Sequence, residues 1–136
     1  MKMLDVDPEL KEIRSIVELA VPAWHSGLTL KQSTDLERVQ RVAVQVILSD
    51  SNTGRSSFTY ASALEELNLD RLVSRREDLC LTFAKKTLKS RHRDIFVDQH
   101  MHDTRGKTKY FEQRANTGRF RNSPVNYLTR LLNGDK

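Results

Sequence analysis

The sequence is poor in cysteine, in proline and in long apolar runs. Its 136 residues include one cysteine, Cys80, and three prolines. A single cysteine excludes a disulfide within the chain and suits a reducing compartment. No stretch approaches the roughly 20 apolar residues of a membrane-spanning helix, and the opening residues lack the apolar region of a signal peptide. We therefore expect a soluble intracellular protein, nuclear or cytoplasmic, with no membrane partner.

Apolar residues make up 38% of the chain, which is below the range of about 45–50% that is usual for globular proteins. A chain of this length fits one domain with a modest core. Apolar and polar residues alternate nowhere over more than a few positions, whereas helical spacing recurs. The pattern predicts an all-α fold, a small bundle of four to five helices.

A corner between two helices is the best-marked local feature. Pro22 is expected to end the helix before it, and Trp24 is a large apolar side chain that needs a surface to pack against. Gly27 permits a sharp turn. Thr29 stands three residues before Gln32, which is the spacing of a capping box at the start of the next helix.

The helices are predicted from apolar spacing and from their ends. The first begins at Asp7-Pro8-Glu9, the second covers about 30–48, the third 59–67 and the fourth 71–89, and a short terminal helix restarts at Ser123-Pro124. A small polar stretch over 49–57 is predicted to be an exposed loop. The positions expected to be buried are Leu10, Ile13, Ile16, Val17, Leu19 and Ala20 in the first helix; Leu36, Val39, Ala43, Val46 and Ile47 in the second; Tyr60, Ala63, Leu64 and Leu67 in the third; Leu72, Leu79, Cys80, Phe83, Ala84 and Leu88 in the fourth; and Val125, Leu128, Leu131 and Leu132 in the last.

Helical periodicity disappears after Lys89. Residues 90–122 mix charge, glycine and isolated aromatic side chains, which are Phe96, Tyr110, Phe111 and Phe120. Two interpretations stay open: an extended arm whose aromatics pack onto the bundle, or a segment that is disordered without a partner. We expect residues 1–89 to form the bundle and 90–136 to form the basic arm and terminal helix of the same domain.

Positive charge is concentrated in one part of the chain. Residues 1–84 hold 10 Lys and Arg against 13 Asp and Glu, whereas residues 85–121 hold 11 against 4. Cations bind phosphates and aromatic rings stack on bases, so this segment predicts a nucleic-acid interface. Its candidate residues are Lys85, Lys86, Lys89, Arg91, Arg93, Arg105, Lys107, Lys109, Tyr110, Arg114, Arg119, Phe120 and Arg121. The alternative is a solvated basic face whose aromatics are anchored to the bundle and whose lysines suit a helix C-terminus.

Other chemistries have less support. The cluster Asp98, His100, His102 and Asp103 could bind zinc, but its spacing fits no known zinc module and a polar loop is the simpler interpretation. Cys80 falls on the apolar side of its helix, where a cysteine is usually a core residue. The chain has neither a nucleophile elbow nor a phosphate-binding glycine loop. We expect no metal and no cofactor.

Three motifs resemble reverse transcriptases of jockey-type non-LTR retrotransposons. The corner resembles a "PxWHxGLT" segment followed by an "L-E-x-h-Q-[KR]" helix, and later stretches resemble "L-x-x-R-R-x-x-L-C" and the terminal "RxRxSxxPxxxRLLN". The motifs occur in the family's order and run through most of the chain. The matching residues are Pro22, Trp24, His25, Gly27, Leu28 and Thr29; Leu36, Glu37, Val39, Gln40 and Arg41; Leu72, Arg75, Arg76, Glu77, Leu79 and Cys80; and Arg119, Phe120, Arg121, Asn122, Ser123, Pro124, Leu128, Arg130, Leu131, Leu132 and Asn133.

The resemblance implies the thumb and tail of an RNA-directed DNA polymerase. The family's palm, which holds the metal-binding aspartates, would precede Met1, and no adjacent acidic pair here has that context. The resemblance therefore implies no polymerase activity and no catalytic residue in this chain alone. Where the family usually has further basic residues in the second helix, this chain has Val42 and Gln45, so we place the interface on 85–121 rather than on that helix.

From the sequence we expect a non-catalytic, thumb-like fragment that binds the backbone of RNA, DNA or an RNA–DNA hybrid without sequence preference. The alternative is a helical interaction module that contacts a palm domain or another protein chain, or a non-functional retroelement remnant. In the interaction module, exposed apolar residues such as Ile13, Val17 or Trp24 would form the contact.

Overall fold

The computed structural model describes residues 8–50, 59–97 and 110–134. Within these ranges the protein is all-α and contains no strand, which confirms the predicted fold class. The loop predicted over 49–57 falls largely outside them. The α-helices are α1 (Pro8–Val17), α2 (Val21–Trp24), α3 (Leu30–Asp50), α4 (Tyr60–Glu66), α5 (Leu72–Leu88), α6 (Gly118–Arg121) and α7 (Pro124–Asn133), with short 3-10 helices at His25–Gly27 and Arg93–Ile95.

The segment between α1 and α3 differs from the prediction, because Pro22 does not end the first helix. α1 ends at Val17, and Pro22 lies in the first turn of α2, where the missing N–H leaves no helical bond unmade. Ala20, which precedes α2, has a left-handed backbone with φ 52°. Gly27 lies within a 3-10 helix, and a Cβ there would meet nothing within 4 Å, so this position does not require glycine.

The capping box at the start of α3 is confirmed. The Thr29 N–H donates to Gln32 Oε1 at 2.9 Å, and the Gln32 N–H donates to Thr29 Oγ1 at 3.3 Å. Each side chain thus satisfies a backbone donor that the first turn of a helix leaves without a partner.

The described chain divides into two compact units. The first comprises residues 8–19, 29–50 and 59–75, and the second comprises residues 20–28, 76–97 and 110–134. Each has its own apolar cluster. α5 contributes its first four residues to the first unit and the remainder to the second.

The core of the first unit packs α3 against α4 and the turn that follows. Its buried members are Val44, Tyr60, Ala63, Leu64 and Leu69. A polar network lies beside them: Gln40 Nε2 donates to Tyr60 Oη at 3.0 Å and to the Asp70 carbonyl at 3.1 Å, and the Tyr60 hydroxyl donates to Glu37 at 2.7 Å. Burial, with the hydrogen bond to Glu37, raises the pKa of Tyr60 to about 12.

The buried stripe predicted for α3 is displaced by about one position. Val39 and Val46 were predicted to be buried but are 47% and 58% exposed, whereas Gln40 and Val44 are buried. Ile16 and Leu19, which were predicted for the core, are also exposed. Apolar residues lie on both sides of Gln40, so periodicity alone leaves the rotation of α3 open. The bonds of Gln40 to Tyr60 and Asp70 select the observed face.

The core of the second unit gathers residues from distant parts of the sequence. Its buried members are Val21, Cys80, Ala84, Phe96, Tyr110 and Leu128, and Trp24 packs against them. Phe83 was predicted to be buried but is exposed, while Thr87 is buried and donates its hydroxyl to the Phe83 carbonyl at 2.9 Å. That bond lets a polar side chain take an inward position on α5 without losing a hydrogen bond.

The basic segment is held to α7 by two asparagine side chains. Asn133 accepts from the Tyr110 N–H and donates to the Tyr110 carbonyl, both at 2.9 Å. Asn126 accepts from the Gln113 N–H at 3.1 Å and donates to the Gln113 carbonyl at 3.3 Å. A primary amide has the same donor and acceptor as a peptide unit, so each asparagine pairs with the chain as a neighbouring strand would.

The spacing of the two asparagines fits this role. Seven helical residues rise about 10.5 Å, and three residues of extended chain cover about 10 Å. Asn126 and Asn133 therefore meet the 110–113 segment at matching intervals. An ion pair between Arg130 and Glu112, with 2.8 Å between Nη1 and Oε1, lies between the two amide contacts in sequence, and the same nitrogen donates to the Arg121 carbonyl at 3.0 Å.

We predict that Asn126→Asp destabilises the protein by about 2–4 kcal/mol, because a carboxylate cannot donate to the carbonyls of Gln113 and Phe120 that Asn126 now satisfies. Chemical denaturation at neutral pH measures the loss. Asn116→Asp makes the same change at an exposed position and should alter stability by less than about 0.5 kcal/mol. Equal effects of the two substitutions would show that the amide pairing contributes nothing specific.

Candidate nucleic-acid interface

Most residues of the predicted interface can be located. The described basic members are all exposed: Lys85, Lys86, Lys89, Arg91, Arg93, Arg114, Arg119 and Arg121. Arg105, Lys107 and Lys109 lie outside the described residues, as do Asp98, His100, His102 and Asp103 of the candidate zinc cluster. The predicted interface therefore keeps eight surface cations on the described part of the chain.

Two α-helices carry four of these eight cations. Lys85 and Lys86 occupy the last turn of α5, where positive charge is favourable beside the negative end of the helix dipole. Arg119 and Arg121 lie on α6, whose first turn is capped by the Thr117 hydroxyl accepting from the Phe120 N–H at 3.2 Å. α6 in turn connects to α7, whose Asn126 donates to the Phe120 carbonyl at 3.1 Å. The Thr117 cap and the hydrogen bond from Asn126 thus fix the position of the short helix that carries Arg119 and Arg121.

The basic residues of the candidate interface differ from Arg14 and Arg75 in their ion-pair partners. No carboxylate among the described residues forms an ion pair with Lys85, Lys86, Lys89, Arg114, Arg119 or Arg121. In the first unit Arg14 and Arg75 both pair with Glu18, Arg14 at 3.7 Å between Nε and Oε1, whereas the exposed Lys31 and Arg38 of α3 also form no ion pair with a described carboxylate. Burial, with the nearby Arg75 cation, lowers the pKa of Arg14, and Glu18 partly opposes that shift. A cation with no described carboxylate partner can neutralise an external anion without first breaking an ion pair to one of those carboxylates.

The aromatic residues of the arm divide into two classes. Tyr110 is only 6% exposed and packs against Phe96 with ring centroids 6.3 Å apart. The sequence predicted Tyr110 as an interface residue, but its buried ring fits the alternative in which the aromatics anchor the arm to the core. Phe111 and Phe120 are 50% and 43% exposed.

The corner around His25 packs against the terminal helix. His25 Nε2 and the Tyr127 hydroxyl share a hydrogen bond at 3.1 Å, and their rings meet edge to face at 5.4 Å between centroids. Burial lowers the pKa of His25, the Arg76 cation lowers it further, and Glu77 partly opposes the shift. Burial likewise raises the pKa of Tyr127 to about 12. This pair therefore prefers its uncharged form.

Cys80 has the environment of a core residue. It is fully buried, and that burial raises the pKa of its thiol to about 11, with Glu77 acting in the same direction. Such a thiol is neither accessible nor ionised at neutral pH, which makes it unsuitable as a nucleophile. Across residues 8–50, 59–97 and 110–134 no group of three or more His, Cys, Asp or Glu side chains could hold a metal ion. None of the helices in these ranges has the length and apolar character needed to cross a membrane.

Sequence reasoning did not identify the residues that hold the basic segment in place. Asn126, Asn133 and the Arg130–Glu112 pair act through contacts between α7 and residues 110–113. A signal was present in the sequence: asparagine is a poor helix former, so two of them seven residues apart on one short helix indicate a role outside the helix.

Comparisons with models of protein families, with curated proteins and with solved structures find no match to this chain. The resemblance of its motifs to non-LTR retrotransposon reverse transcriptases therefore stays a prediction. The exposure, charge and fixed attachment of the segment are what support a functional interface.

We predict that stability falls as the pH decreases below about 6.5. The pKa of His25 is lower in the folded state than in the unfolded state, so below the unfolded value the unfolded chain binds more protons. The contribution of His25 to the free energy of unfolding is fully present above about pH 6.5. It is lost as the pH falls toward the pKa of His25 in the folded state. Denaturation midpoints between pH 7.5 and pH 5 measure the effect.

The control for this prediction is the exposed His92. His25→Gln should remove most of the decrease in stability below about pH 6.5, whereas His92→Gln should leave it as it is in the wild type. An unchanged pH dependence in His25→Gln would show that His25 is not its source.

Proposed function

We propose that this chain binds the sugar-phosphate backbone of RNA, DNA or an RNA–DNA hybrid without sequence preference. Its contacts would be the exposed cations of the second unit. In the context that the motif resemblance implies, it would act as a non-catalytic, thumb-like part of a retrotransposon reverse transcriptase that holds the nucleic acid. The observation that carries the proposal is the concentration of exposed cations in the second unit, of which Lys85, Lys86, Lys89, Arg114, Arg119 and Arg121 form no ion pair with a described carboxylate.

Phosphate binding follows from this arrangement. Each lysine or arginine that neutralises a phosphate releases condensed counterions, and this release supplies most of the affinity of non-specific binding. Cations already paired with a carboxylate within the protein, such as Arg75 with Glu18, would have to break that pair first. Lys85, Lys86, Lys89, Arg114, Arg119 and Arg121 have no such requirement toward the described carboxylates.

The first unit is a weaker candidate for the same role. On α3 the exposed cations Lys31 and Arg38 are interspersed with Asp35 and Glu37, and Arg41 lies over the Tyr60 ring at 5.0 Å. Carboxylates at neighbouring positions repel a phosphate and lower the local potential. We therefore assign the contact to the second unit and use α3 as its internal control.

The expected result is salt-sensitive binding to a labelled RNA–DNA hybrid, measured by fluorescence anisotropy at several salt concentrations. About six phosphate contacts give a slope of about −5 for log K against log salt. The double substitution Lys85→Gln with Lys86→Gln should reduce the magnitude of that slope by about 2, because two contacts are lost. The matched double substitution Lys31→Gln with Arg38→Gln should leave the slope unchanged.

Two results would contradict the proposal. One is the absence of binding at low salt, and the other is an equal response to the two double substitutions. The second result would mean that net charge, rather than a defined surface, governs association. Circular dichroism of each variant verifies that the helices are retained.

A second candidate function, an interaction module, is favoured by one surface of α3. Val39, Val42 and Val46 are 47%, 52% and 58% exposed, and their spacing places them on one face of the helix. A row of exposed apolar side chains on one face is typical of a protein contact. The residues first expected to be uncovered, Ile13, Val17 and Trp24, are only partly exposed.

If this alternative holds, the wild-type chain should self-associate as its concentration is raised in sedimentation velocity experiments. Val42→Asp should abolish the association, because it places a charge in the centre of the valine row. Val73→Asp, which makes the same change at an exposed valine of α5, should have no effect. A wild-type chain that stays monomeric at every concentration would exclude self-association through this face.

A further inference from the structure

We propose that a groove in the second unit binds one unstacked base of single-stranded nucleic acid. The groove has a volume of about 380 Å³ and lies between the Trp24–Gly27 corner and the residues around α6. This inference rests on the proposed function, since the backbone contacts would bring the strand to the groove. It adds a base-stacking site to what would otherwise be phosphate contacts alone.

The walls of the groove have the chemistry of a stacking site. Trp24, Phe120 and Pro124 provide flat apolar surfaces, and Arg119 provides a cation at the edge. Aromatic rings and guanidinium planes are the side chains on which unpaired bases stack, and they do so with little regard to base identity. The Ser26 hydroxyl also lines the groove, and its oxygen is buried with no hydrogen-bond partner among the described residues.

The positive charge at the groove favours a nucleic-acid ligand over an uncharged apolar one. A purely apolar groove would suit many partners, but this one is bordered by Arg119, which has no described carboxylate partner, and Arg121 follows on the same short helix. The segment 85–121 that contains both carries 11 cations against 4 carboxylates. A nucleic-acid base is planar and is attached to a polyanionic backbone. It therefore suits a groove lined by apolar side chains and by the cation of Arg119. The groove volume lies near the lower end of the roughly 300–1,000 Å³ that is usual for small-molecule sites, which suits a single base.

The protein contains its own probe for this site. Trp24 is the single tryptophan of the chain and lines the groove. Stacking of a base on the indole, or close beside it, should quench its fluorescence. Titration with a short oligothymidylate or oligouridylate is therefore expected to quench the tryptophan emission. An abasic deoxyribose-phosphate chain of the same length, which keeps the charge but lacks bases, is expected to cause no quenching.

The test variant is Phe120→Leu, which keeps apolar volume while removing the aromatic face. Because Phe120 is largely exposed, the core should be unaffected. Affinity for the oligothymidylate should fall roughly tenfold, while affinity for a fully paired RNA–DNA hybrid should not change. Phe111→Leu is the matched control: it removes an equally exposed phenylalanine that does not line the groove, and it should change neither value.

The outcomes separate this inference from the proposed function. If the oligothymidylate and the abasic chain bind equally, with the same salt dependence and no change in tryptophan emission, the groove is not a base site and backbone binding stands. Equal losses of affinity in Phe120→Leu and Phe111→Leu would likewise overturn the groove. If neither ligand binds at low salt, backbone binding itself fails.

Discussion

The attachment of residues 110–113 to α7 is the constraint on which the placement of residues 110–121 depends. A stretch with many like charges and few apolar residues cannot bury enough surface to offset the entropy of ordering its backbone. Here the compensation comes from hydrogen bonds of Asn126 and Asn133, which give the segment the pairing that a second strand would provide. Neutral amides suit this role because they add no charge to an already cationic region.

This attachment affects the affinity expected for the proposed nucleic-acid binding. A disordered basic tail loses conformational entropy when it meets a polyanion, and that loss reduces its affinity. Arg114 follows a residue whose backbone is bonded at both its N–H and its carbonyl, and Arg119 and Arg121 lie on a capped helix. Part of the ordering is thus already complete in the free protein. Preorganised cations retain more of their interaction energy as affinity.

The sequence was most informative where the signal is local. The Thr29–Gln32 capping box, the start of α7 after Ser123, and its end at Gly134, with φ 82°, follow from side chains within a few residues of the helix end. The all-α fold class likewise follows from apolar spacing. These features depend on contacts that a short window of sequence contains.

Two of the errors occur where a polar side chain takes an inward position. Gln40 displaces Val39 from the core of the first unit, and Thr87 is buried where Phe83 was expected. In both cases the polar group has a hydrogen-bond partner, which for Gln40 lies about 20 or 30 residues away in sequence. Burial of a polar residue depends on such a partner. Apolar periodicity counts Gln40 as a surface residue because the partner is not visible in the local pattern.

The uneven charge along the chain sets the extent of the candidate interface. Residues 1–84 carry 13 carboxylates against 10 cations, so the first unit contributes little attraction toward a polyanion. Lys85, Lys86, Lys89, Arg114, Arg119 and Arg121, which form no ion pair with a described carboxylate, all lie in the second unit. About six contacts of this kind correspond to non-specific binding that weakens steeply as salt is raised. If the chain binds nucleic acid as proposed, a preference for one nucleic acid over another would have to come from uncharged contacts. The exposed Phe120, which follows Arg119, is a described residue that could make such a contact.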